Sequence, residues 1–271
     1  YLGERPDGTP HVLTGNLTLR TGAGLELANT ALELPTDGIV SLEGTASLAG
    51  SDASIRAHAL SVGIDSTLSQ SSGTGDFVVQ SNVTWVCQSM RNSNNLVIEG
   101  SLLIQPNCQV EILDGGVSGA VTVLTGGELT LLSSLEISVL DKGQPVAGAT
   151  VSIDGAVTMT DTNGKVATNA IARQVDDSSD ISGNGKTISL QIGSFYDFIT
   201  WDTLSSFDYT FMASTITPGT LSSWMVLEAQ WSPYFLDGDL TVESSGTLTI
   251  DDGVSLRISD GSKITVDGRI D

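Results

Sequence analysis

The chain has 271 residues, enough to bury the core of one large or two ordinary domains. Its 32 Asp and Glu against 11 Lys and Arg leave a net charge of −21, which excludes the cationic face that nucleic acid or an anionic membrane surface requires. With 39% hydrophobic residues it is not an acidic disordered chain, and it holds no apolar run of about 18 residues, the length of a spanning helix.

No signal peptide is read, and the opening at Tyr1 suggests a mature or partial chain. Helical periodicity is almost missing. Apolar residues alternate with polar ones, and Gly, Asp, Asn, Ser or Pro break the alternation every six to eight residues, the pattern of short strands and tight turns. The first inward pairs are Leu17/Leu19, Leu25/Leu27 and Leu32/Leu34, with Leu42 and Leu48 continuing more loosely. Leu102/Ile104, Val110/Ile112, Val121/Val123, Leu129/Leu131 and Ile137/Val139 follow. The last are Leu240/Val242, Leu248/Ile250, Leu256/Ile258 and Ile264/Val266.

The spacing Gly-x-Leu-x-aliphatic, five residues, aliphatic-x-aliphatic begins at Gly15, Gly100 and Gly238. Gly15 to Leu27 aligns with Gly238 to Ile250 at an offset of 223, and Leu32, Leu34, Leu42 and Gly44 match Leu256, Ile258, Val266 and Gly268 at an offset of 224. The strands are too short and the turns too frequent for a hairpin sheet. Three such strands with their turns make a coil of roughly 22 residues. Stacked coils pair each strand with its equivalents above and below and align the inward aliphatics in ladders. Cys87 and Cys108 are 21 residues apart, about one coil, so neighbouring coils would hold them at sheet spacing, near ~5 Å and within disulfide range. The alternative is two unpaired thiols.

From Gly238 to Ile258, continuing to Val266-Asp-Gly268, the chain reads Gly-Asp-Leu-Thr-Val, Gly-Thr-Leu-Thr-Ile and Asp-Gly-Val-Ser-Leu. This resembles the right-handed parallel β-helix repeats of microbial surface proteins, and the N-terminal copy and residues 96–135 look like looser versions. A second resemblance lies in residues 137–166, which read Ile-Ser-Val-Leu-Asp-Lys-Gly-Gln-Pro-Val-Ala-Gly-Ala-Thr-Val and later Thr-Asp-Thr-Asn-Gly. They are similar to the carboxypeptidase-regulatory-like family of small β-sandwiches, a resemblance that implies spacing and support rather than catalysis. Asp141-Lys142-Gly143 and Asp161-Thr-Asn-Gly164 independently read as turns. The expected architecture is all-β, a β-solenoid with one inserted small β-sandwich. Its parts are coils in 1–135, the sandwich in 136–213 with Tyr196 to Phe211 supplying core strands, and an aromatic joint with further coils in 214–271.

Little in the chain reads as catalysis. Asp251-Asp252 precede Gly253 in a turn, His11 and His58 lie far apart with no metal-ligand spacing, and the serine runs at Ser69 and Ser178 show no nucleophile elbow. In the loop 174–186, Asp176, Asp177, Asp180 and Asn184, with Ser178 and Ser182, are candidate oxygen ligands for Ca2+. The bidentate Glu of such loops is missing, and a solvated acidic loop is the plain alternative. Trp224, Trp231, Tyr234 and Phe235 plug a joint between domains, bind sugars or anchor an interface. Asn16 and Asn82 open glycosylation sequons. With the cysteine pair, the abundant Ser, Thr and Gly and only four lysines, they point to an extracellular or cell-surface protein.

A solenoid leaves unpaired strand edges at its ends unless it is capped. No capping helix is read after the strand-like segment 264–270, and about 14 residues precede the first repeat. The expectation is a longer array of coils or copies stacked head-to-tail, which do not close and so give fibres. The expected function is therefore a non-catalytic structural subunit of an extracellular filament, sheath or surface layer, polymerising with copies of itself. The rival is a monomeric adhesin or glycan-binding stalk; a polysaccharide lyase or hydrolase ranks last.

Overall fold

The computed structural model describes residues 1–71, 75–182, 186–192, 195–201 and 207–271. The chain is all-β, with 59% of the described residues in strands, arranged as a parallel β-solenoid of about 11 turns. The sole helical element among the described residues is the single 3-10 turn Ala229–Trp231. Two compact units form: Tyr1–Ser134 with the described part of Asn169–Asn184, and Leu135–Thr168 with the described part of Gly185–Asp202 and Phe207–Asp271.

Residues 1–134 of the first unit form a stack of coils whose strands pair in parallel. One wall aligns Leu17, Val40, Leu60, Val83, Leu102 and Val121, with Leu19, Leu42, Val62, Trp85, Ile104 and Val123 two residues on. Successive rungs lie 23, 20, 23, 19 and 19 residues apart. A second wall aligns His11, Leu32, Ile55, Val79, Ile98 and Val117. The third aligns Leu25, Leu48 and Leu68, then Ser93, Ile112 and Leu131. Side chains alternate across a strand, so every second residue of each wall enters one continuous core. Each buried aliphatic there contributes about 1.5–3 kcal/mol. Two polar residues that turn inward find partners on the coil below: Ser66 Oγ donates to the Gly44 carbonyl at 2.9 Å and Ser93 Oγ to the Leu68 carbonyl at 2.8 Å.

The corner after the third wall needs a left-handed residue. It is occupied by Asn29 and Asp52, with φ of 48° and 46°, and by Asn95 and Asp114, with φ of 45° and 52°. Short polar side chains tolerate that conformation best after glycine. Between Leu48 and Leu102, where the sequence shows no clear inward pairs, run two long strands, Ala53–Val62 and Phe77–Trp85. Each serves two walls, and the register shifts between Arg56 and Ala59. That bulge, with Ala53 and Ser81 at inward positions, hides the two-residue alternation.

The backbones of neighbouring coils approach tightly at Gly100, where a Cβ would lie 2.0 Å from the Ser81 carbonyl oxygen. Gly100→Ala is expected to destabilise the first unit by about 1–3 kcal/mol. Gly116→Ala, with nothing within 4 Å of the added carbon, should cost far less. Equal denaturation midpoints for the two variants would show that the coils do not stack this tightly. Cys87 and Cys108 form a disulfide between neighbouring coils, Cα to Cα 4.7 Å, as their spacing predicts.

In the second unit, Ala156–Met159, Thr150–Ile153, Lys186–Ile192 and Phe195–Trp201 form a four-stranded antiparallel sheet in that order. Leu135 to Leu140 pairs in parallel with Phe207–Met212. The two sequence-read turns are present. Lys142 and Gly143, with φ of 48° and 80°, close a two-residue hairpin, and Asp161 Oδ1 accepts the Asn163 and Lys165 amides at 2.8 and 2.9 Å. Of the aromatic stretch expected to supply core strands, Trp201 and Phe211 are buried, but Tyr196 and Phe198 point to solvent. They share the outer parity of their strand, opposite to Asp197, Ile199 and Trp201.

Three further coils complete this unit. Their ladders are Ile216–Leu236–Ile258, Leu221–Val242–Val266 and Met225–Leu248–Ile270, with Gly219–Leu240–Ile264 beside them.

Candidate functional site

The three C-terminal coils present two unlike ends. In the first coil the inward residues Ile216, Leu221 and Leu227 are buried. Its first strand is tied down as well: the Ala213 amide donates to the Leu140 carbonyl at 2.8 Å, and the Thr215 amide and hydroxyl donate to the Asp141 carboxylate at 3.2 and 2.8 Å. In the middle coil Leu236, Val242 and Leu248 are at most 1% exposed. Their partners one coil on, Ile258, Val266 and Ile270, are 43%, 40% and 46% exposed. Leu256 and Ile264 in the same layer are half-buried. Among the described residues the strands Leu256–Ile258, Ile264–Val266 and Arg269–Ile270 pair on one side only. This surface therefore combines an apolar layer with three open parallel edges, the state in which a strand accepts another.

Charge is distributed unevenly along the chain. Residues 256–271 carry Arg257, Lys263 and Arg269 against Asp260, Asp267 and Asp271, a net charge of zero. Residues 1–28 hold Arg5 and Arg20 against Glu4, Asp7 and Glu26. Nearly all of the net −21 thus falls between these segments.

The four sequence-singled aromatics have separate roles within the second unit. Tyr234 is buried in the ladder Ser214–Tyr234–Leu256; its hydroxyl accepts the Glu228 amide at 2.9 Å and donates to the Glu228 carbonyl at 3.3 Å. Phe235 is buried beneath the Arg257 guanidinium, 5.5 Å from the ring centre. Trp231 donates to the Glu228 carboxylate at 3.0 Å and lies against Gly143, where an added Cβ would meet the indole at 2.9 Å. Trp224 is exposed and donates to Thr249 Oγ1 at 3.0 Å.

In the acidic loop, the described carboxylates each have their own partner. Asp176 accepts the Ser178 and Ser179 amides at 2.7 and 2.6 Å, Asp177 accepts the Gly126 amide at 3.2 Å, and Asp180 pairs with Arg173 at 2.9 and 2.7 Å. Asn184 and the side chain of Ser182 lie outside the described residues. No group of three His, Cys, Asp or Glu that could hold a metal occurs among the described residues. The Ser178 amide, then the Ser178 hydroxyl, holds the Asp176 carboxyl down to about 2. Because that value is depressed in the folded chain, the turn's contribution is present above the ordinary carboxylate range and lost as pH falls through about 2. Carboxyl NMR of Asp176 should follow this curve; titration at the ordinary value would mean that the turn is not held in solution.

The sequon residues Asn16 and Asn82 are exposed, and each accepts a backbone amide of the next coil, from Ile39 at 2.9 Å and Ser101 at 3.0 Å. Asn82 borders a groove of about 470 Å³ with Arg56, His58, Gln80 and Glu99. There Arg56 bonds Glu33 and Gln80 at 3.3 and 3.0 Å, and Gln80 bonds Glu99 at 2.9 Å, so each carboxylate is engaged in a ladder across coils. Asp251 and Asp252 are exposed in a turn closed by the Val254 amide on the Asp251 carbonyl at 3.2 Å. The disulfide suits an oxidising, extracellular environment. No helix among the described residues is long and apolar enough to cross a membrane. Against protein-family models, curated proteins and solved structures, the chain finds no match.

Proposed function

We propose that this chain is a non-catalytic structural subunit of an extracellular filament, sheath or surface layer, and that it grows by stacking the coil 256–270 of one copy on the N-terminal coil of the next. The observation that carries this reading is the last layer. Ile258, Val266 and Ile270 continue ladders whose preceding rungs are fully buried, yet they stand open beside unpaired strand edges. A second copy supplies what the register asks for, because Leu17, Leu19, Leu32 and Leu34 repeat the pattern of Leu240, Val242, Leu256 and Ile258. Contacts of this kind do not close on themselves and so propagate.

In the same reading, residues 136–213 form a carboxypeptidase-regulatory-like sandwich that spaces the coils. The whole stands at the cell surface as a β-helix protein of the microbial type.

Electron microscopy and sedimentation of the 271-residue chain across a range of salt test the assembly. Filaments or ordered stacks are expected, and they should be favoured by salt as repulsion between the acidic bodies is screened. Single particles at every salt and protein concentration would overturn the proposal. They would leave this surface to another coil of the same polypeptide.

A further inference from the structure

The outer face of the four-stranded antiparallel sheet is chemically unlike the rest of the chain. Tyr196 and Phe198 are 56% and 58% exposed at one border, their ring centres 6.2 Å apart. Cross-strand register sets Gln191 beside Tyr196 and Ser189 beside Phe198, with Thr150 and Ser152 on the next strand. Paired residues project to the same side of a sheet. The far border is Val157 and Met159, both mostly exposed. In a chain of net charge −21, none of these side chains is charged.

The face leads into a cleft of about 460 Å³ within the same unit. Tyr196 lines it together with Phe235, Asp237, Arg257, Ser259 and Asp260. Arg257 is held over the Phe235 ring and paired with Asp197 at 2.9 Å.

We infer that this face and cleft bind a neutral polysaccharide. Two adjacent aromatic rings open to solvent offer flat surfaces on which the C–H faces of successive sugar rings stack. Hydroxyl and amide side chains beside the rings suit a ligand whose periphery is hydroxyl groups. In the cleft, Asp237 and Asp260 accept hydrogen bonds from sugar hydroxyls, with Ser259 beside them and Tyr196 and Phe235 supplying the apolar part of a mixed lining. Charge selects the class of glycan. An uncharged platform bordered by carboxylates on an acidic chain repels uronate or sulfated polymers and accepts neutral ones. The sheet face lies on strands outside the assembly coil, whereas Arg257, Ile258, Ser259 and Asp260 of the cleft belong to that coil, so the aromatic pair on the sheet carries the inference whether or not copies stack.

The test is affinity electrophoresis and calorimetry of the 271-residue chain with soluble mixed-linkage β-glucan, xyloglucan, mannan and xylan, with polygalacturonate as the acidic control. At least one neutral polymer should bind and polygalacturonate should not. Tyr196→Ala should weaken binding tenfold or more, the Tyr196→Ala/Phe198→Ala pair should abolish it, and Tyr196→Phe should retain it. Val266→Asp, placed to block stacking, should leave glycan binding unchanged and so separates this inference from the assembly reading. Retardation by no neutral polymer, or binding indifferent to both aromatic truncations, overturns it. Loss of self-association in the aromatic variants without any glycan binding would make the face a protein interface, which equally overturns it. Both side chains are mostly exposed, so unchanged circular dichroism of the variants is expected.

Discussion

Val266→Asp is expected to raise the critical concentration for assembly on the order of a hundredfold, about 3 kcal/mol. Two terms act together. In a stack, Val266 passes from 40% exposed to the burial of its ladder partner Val242, at 0%, and the variant forfeits that apolar gain. The carboxylate must also be desolvated with no partner inside an aliphatic ladder, which costs several kcal/mol. Ile270→Asp should act alike, since Ile270 continues the ladder through Leu248. Thr265→Ser, on the outward side of the same strand, is the control and should assemble as the parent does. Sedimentation velocity reads the result. If Val266→Asp polymerises with the parent's concentration dependence, the last layer is not the contact.

Removing the disulfide should have the second largest effect. Cys87→Ser/Cys108→Ser, or reduction of the parent, is expected to destabilise the first unit by about 3 kcal/mol, the chain-entropy contribution of a closed loop of roughly 20 residues. Its melting temperature should fall by roughly 6–12 °C. Both sulfurs are buried at the coil stack, so the serines add buried hydroxyls and the double variant should fall at least as far as the reduced parent. Thermal unfolding with and without reductant measures it. Coincident curves would mean that the stacked coils alone hold these two residues together.

The link between these experiments is the ladder. Where each rung is covered by the next, an aliphatic side chain is wholly buried, as at Leu60, Val83 and Leu102. Where no further rung follows among the described residues, the same residue type stays partly exposed, as at Ile258 and Val266.

The sequence by itself determined the class of fold. Pairs such as Leu102/Ile104 and Leu240/Val242 state inward parity because a strand has a period of two. The recurrence of the Gly15, Gly100 and Gly238 spacing states that the unit is a coil, and the cysteine interval matches one turn of it. These are local or periodic properties, which a chain carries without knowing its neighbours. Tertiary structure alone decided the rest. The exact rung spacings of 19 to 23 residues depend on the bulge near Ala57 and on the corner turns, which relax against the coil below. Aromatic residues could not be sorted in advance: Tyr234 is core and Tyr196 is surface, because only the antiparallel register with Gln191 sets which way the second one faces. The acidic loop was legible as acidic, but the pairing of Asp180 with Arg173 and of Asp177 with the Gly126 amide joins strands and turns that composition does not relate. Nor does an aliphatic pair reveal whether it ends a stack. Burial is a property of what lies above a rung, and that is settled by packing rather than by the rung's own residues.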